Sequence, residues 1–285
     1  MMNLQNVGFV LEGGAMRGAY TAGVLDYFLE KDLHITYIIG VSAGACQSFS
    51  YISRQYGRNI KVTETFIKDH RYLSFRNYIK EKSLFGMNFM FEEIPKNLLY
   101  FDYETFANTT QKVIMVATDC QTGKPEYFCN TDNADMFLAG RASSSMPLLS
   151  PKVLINEKYY IDGGVSNPIP LEKSEIDGNV KNIVVLTRDA EYRKKPPGKS
   201  LWLMKKYYKK YPHIVESYEK RYKVYNDTLE YLIKAERDGR VFIIRPQIQV
   251  RVKRMEKNID KLKDLYLQGL EDTAKVYDKL MLFLN

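Results

Sequence analysis

The residue best placed for chemistry is Ser42, in Gly40-Val41-Ser42-Ala43-Gly44, where an apolar run from Ile35 to Ile39 gives way to a helix-like segment. A strand that reverses sharply into a helix leaves the middle side chain at the apex of the turn and the next backbone N–H groups free; flanking glycines let the chain pass closely there. Ser42 therefore reads as a nucleophile. A serine hydroxyl attacks only when a base takes its proton, and the oxyanion that forms needs preorganised donors. The three histidines, His34, His70 and His213, lie in no motif-like setting: His34 belongs at the opposite end of the strand from Ser42, and His213 in a basic segment. The expected base is a carboxylate. Asp162 is the leading candidate, because Gly163 and Gly164 keep side chains away from it and allow a tight loop, although Asp-Gly is also a common turn signal. Donors are expected from Gly13-Gly14-Ala15-Met16-Arg17-Gly18, where unpaired N–H groups converge at a helix N-terminus whose dipole favours negative charge.

The elements that must position these groups follow from periodicity. Val7–Glu12 reads as a buried strand, Ala19–Glu30 as a helix with Tyr20, Val24, Tyr27 and Phe28 at helical spacing, Ile35–Ile39 as the next strand and Ala43–Arg54 as a second helix. Residues 17–34 are long enough for the crossover that a parallel pair requires. Lys112–Thr118 is a further strand with Glu126–Cys129 as its antiparallel neighbour, and Ala134–Ser145 reads as a helix. A hairpin turning at Asn156-Glu157 leads into Asp162. After the strand Asn182–Thr187, the segment beginning at Arg193 holds an amphipathic helix, Leu201–Tyr211, then a longer one, His213–Glu236. A strand, Val241–Arg245, and a helix, Asn258–Leu284, with Ile259, Leu262, Leu265, Leu270, Val276 and Leu280 as core contacts, close the chain. Residues 61–103 carry no clear period; six large apolar residues there, Leu84, Phe85, Met87, Phe89, Met90 and Phe91, suit core packing, an acyl-chain pocket or a mobile cover. The sum is an α/β chain with a mostly parallel sheet.

With 45% hydrophobic and 27% charged residues over 285 positions, the chain reads as one globular domain rather than a disordered or membrane-spanning one. Its start has no basic leader, and Val7–Leu11 is too short for a signal peptide, so a cytoplasmic location is expected. Cys46, Cys120 and Cys129 have no metal-ligand spacing and read as free thiols; no EF-hand spacing is present, and no metal or organic cofactor is called for. The net charge of +8 is local: residues 191–225 hold eleven Lys and Arg against three Glu, interleaved with Trp202 and seven tyrosines. Such a mixture suits either a solvated helical hairpin or an anionic membrane surface met by Lys205, Lys206, Lys209 and Lys210. No nucleic-acid-binding module is recognisable. Nor does Gly13–Gly18 meet the dinucleotide fingerprint, with Ala15 in the middle and no acidic residue ending a second strand, and there is no G-K-[ST] for a P-loop.

The three motifs in this order resemble the patatin-like family of lipid acyl hydrolases, whose pattern is G-G-G-x-[RK]-G, then G-x-S-x-G, then D-G-[GA]. Ala142–Pro147 is also similar to that family's sequence ahead of the aspartate, and the likeness covers roughly residues 5–190. It implies a three-layer fold with a mostly parallel central sheet flanked by helices. A basic helical insertion at about 193–238 and a final strand and helix at 241–285 would complete the single domain. It also implies hydrolysis of carboxyl esters of lipids, phospholipase A or lysophospholipase-like, through a Ser42–Asp162 dyad with Gly13, Gly14 and Ala15 N–H groups as oxyanion hole. Gly18, Gly40, Gly44, Gly163 and Gly164 would support the motifs, and Arg17 would steady the loop or attract a phosphate head group. Ala15 departs from the pattern's third glycine and is expected in an ordinary conformation, donating its N–H. The competing readings are a non-catalytic lipid- or membrane-binding protein on the same fold and a general carboxylesterase or thioesterase.

Overall fold

The computed structural model describes residues 4–285; Met1, Met2 and Asn3, which open the stretch read as leaderless, lie outside the described residues. The chain begins β1 (Val7–Leu11), α1 (Gly18–Glu30), β2 (Tyr37–Val41) and α2 (Ala43–Ile52), continues through α3 (Arg58–Phe66), α4 (Phe75–Glu81), a π-helical segment Phe89–Leu98 and α5 (Tyr103–Ala107), and returns to the sheet with β3 (Lys112–Asp119) and β4 (Pro125–Cys129). Then come α6 (Met136–Ser143), the hairpin β5 (Val153–Ile155) and β6 (Lys158–Asp162), α7 (Leu171–Ile176), β7 (Lys181–Val185), α8 (Ser200–Tyr207), α9 (Pro212–Arg237), β8 (Val241–Ile244) and α10 (Ile259–Leu284). The hairpin turns at Asn156 and Glu157, both left-handed at φ 46 and 66, as a two-residue turn matching strand twist requires.

The eight strands form one sheet in the order β5-β6-β3-β2-β1-β7-β8, with β4 also paired to β3. β3, β2, β1, β7 and β8 run parallel, and β4, β5 and β6 pair antiparallel. The central strands are covered on both faces, which explains why they read as unbroken apolar runs. Phe9, Ile38, Val113 and Ile183 face one helical layer, where α1, α2 and α10 contribute Leu25, Phe28, Phe49, Leu262 and Leu280. Val10, Ile39, Ile114 and Val184 face the other, where α7 and α9 contribute Leu171, Tyr225, Leu229 and Leu232. This is the mixed α/β, three-layer arrangement expected.

The basic segment has a structural task. β7 and β8 are parallel neighbours, so a crossover must join them, and α8 and α9 are that crossover. Met204 of α8 and Tyr208 just after it pack with Ile214 and Val215 of α9 against Ile161 and Val165, while Lys205, Lys206, Lys209 and Lys210 are exposed. β2 begins two residues later than expected, because the Ile35 N–H is taken by the Tyr51 hydroxyl rather than by a neighbouring strand. The unread stretch 61–103 holds α3, α4 and the π-helical segment with Pro95 inside it, too short or too irregular to give a clear period. Among the described residues no helix is long and apolar enough to cross a membrane.

α10 crosses α1 where Gly23 and Gly269 face each other: a β-carbon on Gly23 would collide with the Tyr266 carbonyl and stand 3.1 Å from Gly269 Cα. A glycine in an unobstructed helix interior would gain about 1 kcal/mol on becoming alanine. Here Gly23→Ala is expected to lose about 1–3 kcal/mol through overpacking, read as a lower denaturation midpoint in urea; a gain would show that the helices do not cross this closely.

Candidate active site

Two strands meet end to end along one edge of β3. β4 occupies the opposite edge from Ile114 to Thr118, so β2 and β6 share this one: Val41 pairs with Val116, and one residue on Asp162 pairs with Ala117. β2 arrives parallel to β3 and β6 antiparallel, so both deliver their C-terminal ends to one spot. Ser42, the next residue after β2, thereby meets a carboxylate 120 positions away.

Ser42 has φ 53 and ψ −118 at the N-cap of α2, a backbone state that costs about 1–3 kcal/mol and persists only where its surroundings over-determine it. They do. Its N–H donates to Ser143 Oγ at 2.8 Å, and that hydroxyl donates to the Val116 carbonyl at 2.6 Å, clamping the turn to β3. α2 also starts hard against the end of β1: a β-carbon on Gly44 would lie 2.5 Å from the Leu11 carbonyl oxygen. Gly40 faces Ala45 and Gly18 faces Ala43 at similarly close range.

Ser42 Oγ donates to Asp162 Oδ2 at 2.8 Å, and Asp162 Oδ1 accepts from the Gly164 N–H at 2.7 Å. Both side chains are buried. Burial raises the Asp162 pKa above the usual aspartate value; Arg221 opposes this most strongly, followed by the hydrogen bonds from Ser42 and Gly164 and the charge of Arg254. A carboxyl raised in this way is a better proton acceptor than a surface aspartate. Gly163 fits against the Val116 carbonyl where any side chain would collide, and Gly164 lies between Asp162 and Arg221.

The loop after β1 supplies free donors. The N–H groups of Glu12, Met16 and Arg17 are used by the carbonyls of Val185, Arg254 and Gly14, while those of Gly13, Gly14 and Ala15 meet no acceptor among the described residues. Gly13 is close to Ser42, since a β-carbon on it would stand 3.0 Å from Ser42 Cβ. Ala15 corrects an expectation: its φ is 49, not ordinary. The loop turns here as a glycine would, and alanine bears about 1–2 kcal/mol of strain for it. Arg17 makes no ion pair within 4 Å among the described residues, and burial with the nearby Arg188 lowers its pKa to about 10.

On one side of Ser42 lies an apolar cavity walled by Ala19, Phe85, Met87, Met90, Phe91 and Met146. Phe85, Met87, Met90 and Phe91 thus do both, packing into or against the core and walling space beside Ser42, while Phe89 only packs. Cys46 borders this space, but burial pushes its thiol up to about 11, so it stays protonated and inert. None of the histidines reaches the site: His34 contacts Asp32, His70 contacts Asp69, and His213 contacts Glu216. Among the described residues no His, Cys, Asp and Glu cluster has the makings of a metal site.

Sequence reasoning missed three contributors. Ser143 was visible only as part of the Ala142–Pro147 stretch. Glu12 reads as the polar end of a strand, yet it is buried and accepts from Thr187 N–H at 2.6 Å, Thr187 Oγ1 at 3.0 Å and Tyr225 OH at 2.9 Å. Arg221 reads as one cation in a basic helix, with no local signal that it turns inward.

Comparison with known proteins accords with this geometry. A family profile described as patatin-like phospholipase matches residues 9–173, and one described as a domain of unknown function, DUF6363, matches residues 211–285. The chain is 27% identical over 184 residues to the uncharacterized protein YjjU of Escherichia coli K12, covering 63% of this chain and 51% of that protein. It is 26% identical over 197 residues to the probable lipid hydrolase 463L of Invertebrate iridescent virus 6, covering 61% and 64%. The chain therefore matches only 51% and 64% of the lengths of these relatives. The crystal structure of VipD from Legionella pneumophila aligns with 95% of this chain and 66% of its own, with a TM-score of 0.48 and 11% identity. Because the first profile covers more than half of the 285 residues, with the glycine loop, the serine turn and the aspartate all inside it, the chain belongs to the patatin-like phospholipase family.

Proposed function

We propose that this protein hydrolyses carboxyl esters of lipids through Ser42 and Asp162. The observation that carries the reading is the 2.8 Å hydrogen bond from Ser42 Oγ to a buried carboxylate, made where free backbone donors and an apolar cavity meet. Asp162 takes the hydroxyl proton as Ser42 Oγ bonds to the acyl carbon, and the N–H groups of Gly13, Gly14 and Ala15 receive the oxyanion. The tetrahedral intermediate collapses, the alcohol leaves with the proton from Asp162, and the acyl group stays on Ser42. Water then repeats the sequence, giving up its proton to Asp162 and freeing the fatty acid. The apolar cavity suits an acyl chain, and its methionines let the walls adapt to chain shape. The relative described as a probable lipid hydrolase supports the same assignment.

A fluorophosphonate probe is expected to label the wild-type protein and not Ser42→Ala. Asp162→Asn should cut turnover of a p-nitrophenyl ester by about 10²–10⁴-fold, the usual range for a positioned general base, with the fold retained by circular dichroism. An unlabelled, folded wild type rejects the mechanism, and full activity of Asp162→Asn rejects the aspartate base.

The pH profile follows from the charges. Asp162 accepts a proton only when ionised, so kcat/KM falls as pH drops through its pKa. Burial raises that pKa, so the acidic limb should lie above the ordinary aspartate range; Arg221 holds it down, so Arg221→Gln should move the limb to higher pH. An unmoved limb would remove Arg221 from the environment of the base.

The exposed side of α8 supports docking on an anionic membrane: Trp202, Leu203 and Tyr207 are 64%, 45% and 55% exposed beside Lys205, Lys206, Lys209 and Lys210. Sedimentation with vesicles should show stronger binding to phosphatidylserine-containing than to neutral ones, falling as salt rises. Equal binding to both dismisses this surface.

A further inference from the structure

Ser42 borders a second cavity of the opposite character. Sharing Ser42, Ala15 and Met146 with the apolar one, this cavity is lined by Arg17, Arg188, Lys194, Arg221 and Arg254, and the carboxylates among its lining residues are Glu12 and Asp162. It opens outward into a vestibule of about 560 Å³ that shares Arg188, Lys194, Arg221 and Arg254. These cations come from distant parts of the chain: the glycine loop, the segment after β7, α9, and the loop ahead of α10.

The cluster is short of counter-ions: two carboxylates, Glu12 and Asp162, face five cations, with Asp189 and Glu191 farther out in the vestibule. None of the five cations makes an ion pair within 4 Å among the described residues, although sixteen such contacts occur elsewhere in the protein. The Nε atoms of Arg17, Arg188 and Arg221 are buried without a hydrogen-bond partner, a state that structures avoid unless something absent completes it. Glu12 is already engaged by Thr187 and Tyr225. Lys194 is pulled from the ordinary lysine range to about 7, first by burial and then by Arg221, with Arg254 and Arg17 adding to it against the opposing pull of Glu12. Holding Asp162 ionised accounts for Arg221 and Arg254; it does not account for Arg188 and Lys194.

Resting on the reading of Ser42 as the nucleophile, we propose that this cage binds the phosphoryl group of the lipid substrate and selects lipids whose phosphate is a monoester. Arginine forks are suited to phosphate oxygens, which they meet in paired hydrogen bonds. A choline-bearing head group would bring its own cation into a cage of five. Two of the aromatic faces there are already taken, because Arg188 lies over the Tyr192 ring at 4.5 Å and Lys194 over the Tyr225 ring at 4.4 Å. Glycerol is a short spacer, so an ester carbonyl at Ser42 with its acyl chain in the apolar cavity leaves the phosphate in the adjoining cationic one. Arg221 and Arg254 fall within the region matched by the profile of unknown function, which thereby gains a role in choosing the head group.

The test is binding to folded Ser42→Ala protein, which needs no turnover, measured by calorimetry with soluble hexanoyl lipids. 1-Hexanoyl-glycerol 3-phosphate should bind at least about tenfold more tightly than 1-hexanoyl-glycerophosphocholine, with monohexanoylglycerol weakest. That preference should fall by about threefold in Arg254→Gln, whose side chain is exposed and whose loss leaves the core intact, and further in Arg188→Gln/Arg254→Gln. Equal affinity for the three lipids, or an undiminished preference in the double variant, overturns the proposal. Inorganic phosphate binding as tightly as the phosphate monoester lipid also overturns it, since the cage would then serve free phosphate. Fluorophosphonate labelling of the wild type separates this inference from its foundation: a labelled protein without head-group preference loses the cage alone, whereas an unlabelled one loses the hydrolase.

Discussion

β3 acts as the ruler of this structure. One of its edges is filled by β4, and the other is divided between β2 and β6, which abut so that Val41 and Asp162 pair with the consecutive residues Val116 and Ala117. Backbone hydrogen bonding sets that register to the residue. A one-residue slip of β6 would carry Asp162 away from Ser42 and turn its side chain to the other face of the sheet. Ser143 reinforces the same point by tying the Ser42 N–H to the Val116 carbonyl. The distance between the Ser42 hydroxyl and the Asp162 carboxylate is therefore a property of the sheet, and rotamer choice has only the last ångström to settle.

Around this junction the chain accepts local strain in exchange for close approach. Ser42 and Ala15 both have positive φ without being glycine, and both stand where free N–H groups gather. The surrounding glycines remove side chains at the contacts of β1 with α2 and of β3 with the Asp162 turn. Such strain is tolerable because neighbouring elements leave the backbone no alternative path. The buried carboxylate of Glu12 adds a third fastening: through Thr187 and Tyr225 it joins the end of β1 to the end of β7 and to α9. The basic helix is thus anchored to the donor loop and is part of the site's wall.

Electrostatically the site is one-sided. Asp162 and Glu12 are its buried anions, and five cations face them with few hydrogen bonds of their own. Arg221 does two things at once: it opposes the desolvation of Asp162, and it lowers the affinity of Lys194 for its proton. A hydrocarbon-walled pocket that also borders Ser42 completes an amphipathic surround, with the Ser42 hydroxyl shared by the two environments.

The sequence by itself determined the elements and the reactive groups. Period-two and period-3.6 patterns are local, so β1, α1, α2, β3, the β5–β6 hairpin, α9 and α10 were legible to within a few residues, as were the three glycine-flanked motifs. With no histidine in any motif, it also pointed to a carboxylate as the partner expected for Ser42. The short helices α3, α4 and α7 were not legible, because their few turns offer no sustained period and tertiary contacts hold them. Tertiary structure alone decided that Asp162 stands beside Ser42, that Ala15 is left-handed, that the basic segment is the β7–β8 crossover, and that Arg17, Arg188, Lys194, Arg221 and Arg254 converge. The reason is physical: those facts depend on strand register and helix orientation between residues tens to more than two hundred positions apart, and no local spacing encodes which face of α9 will turn Arg221 inward.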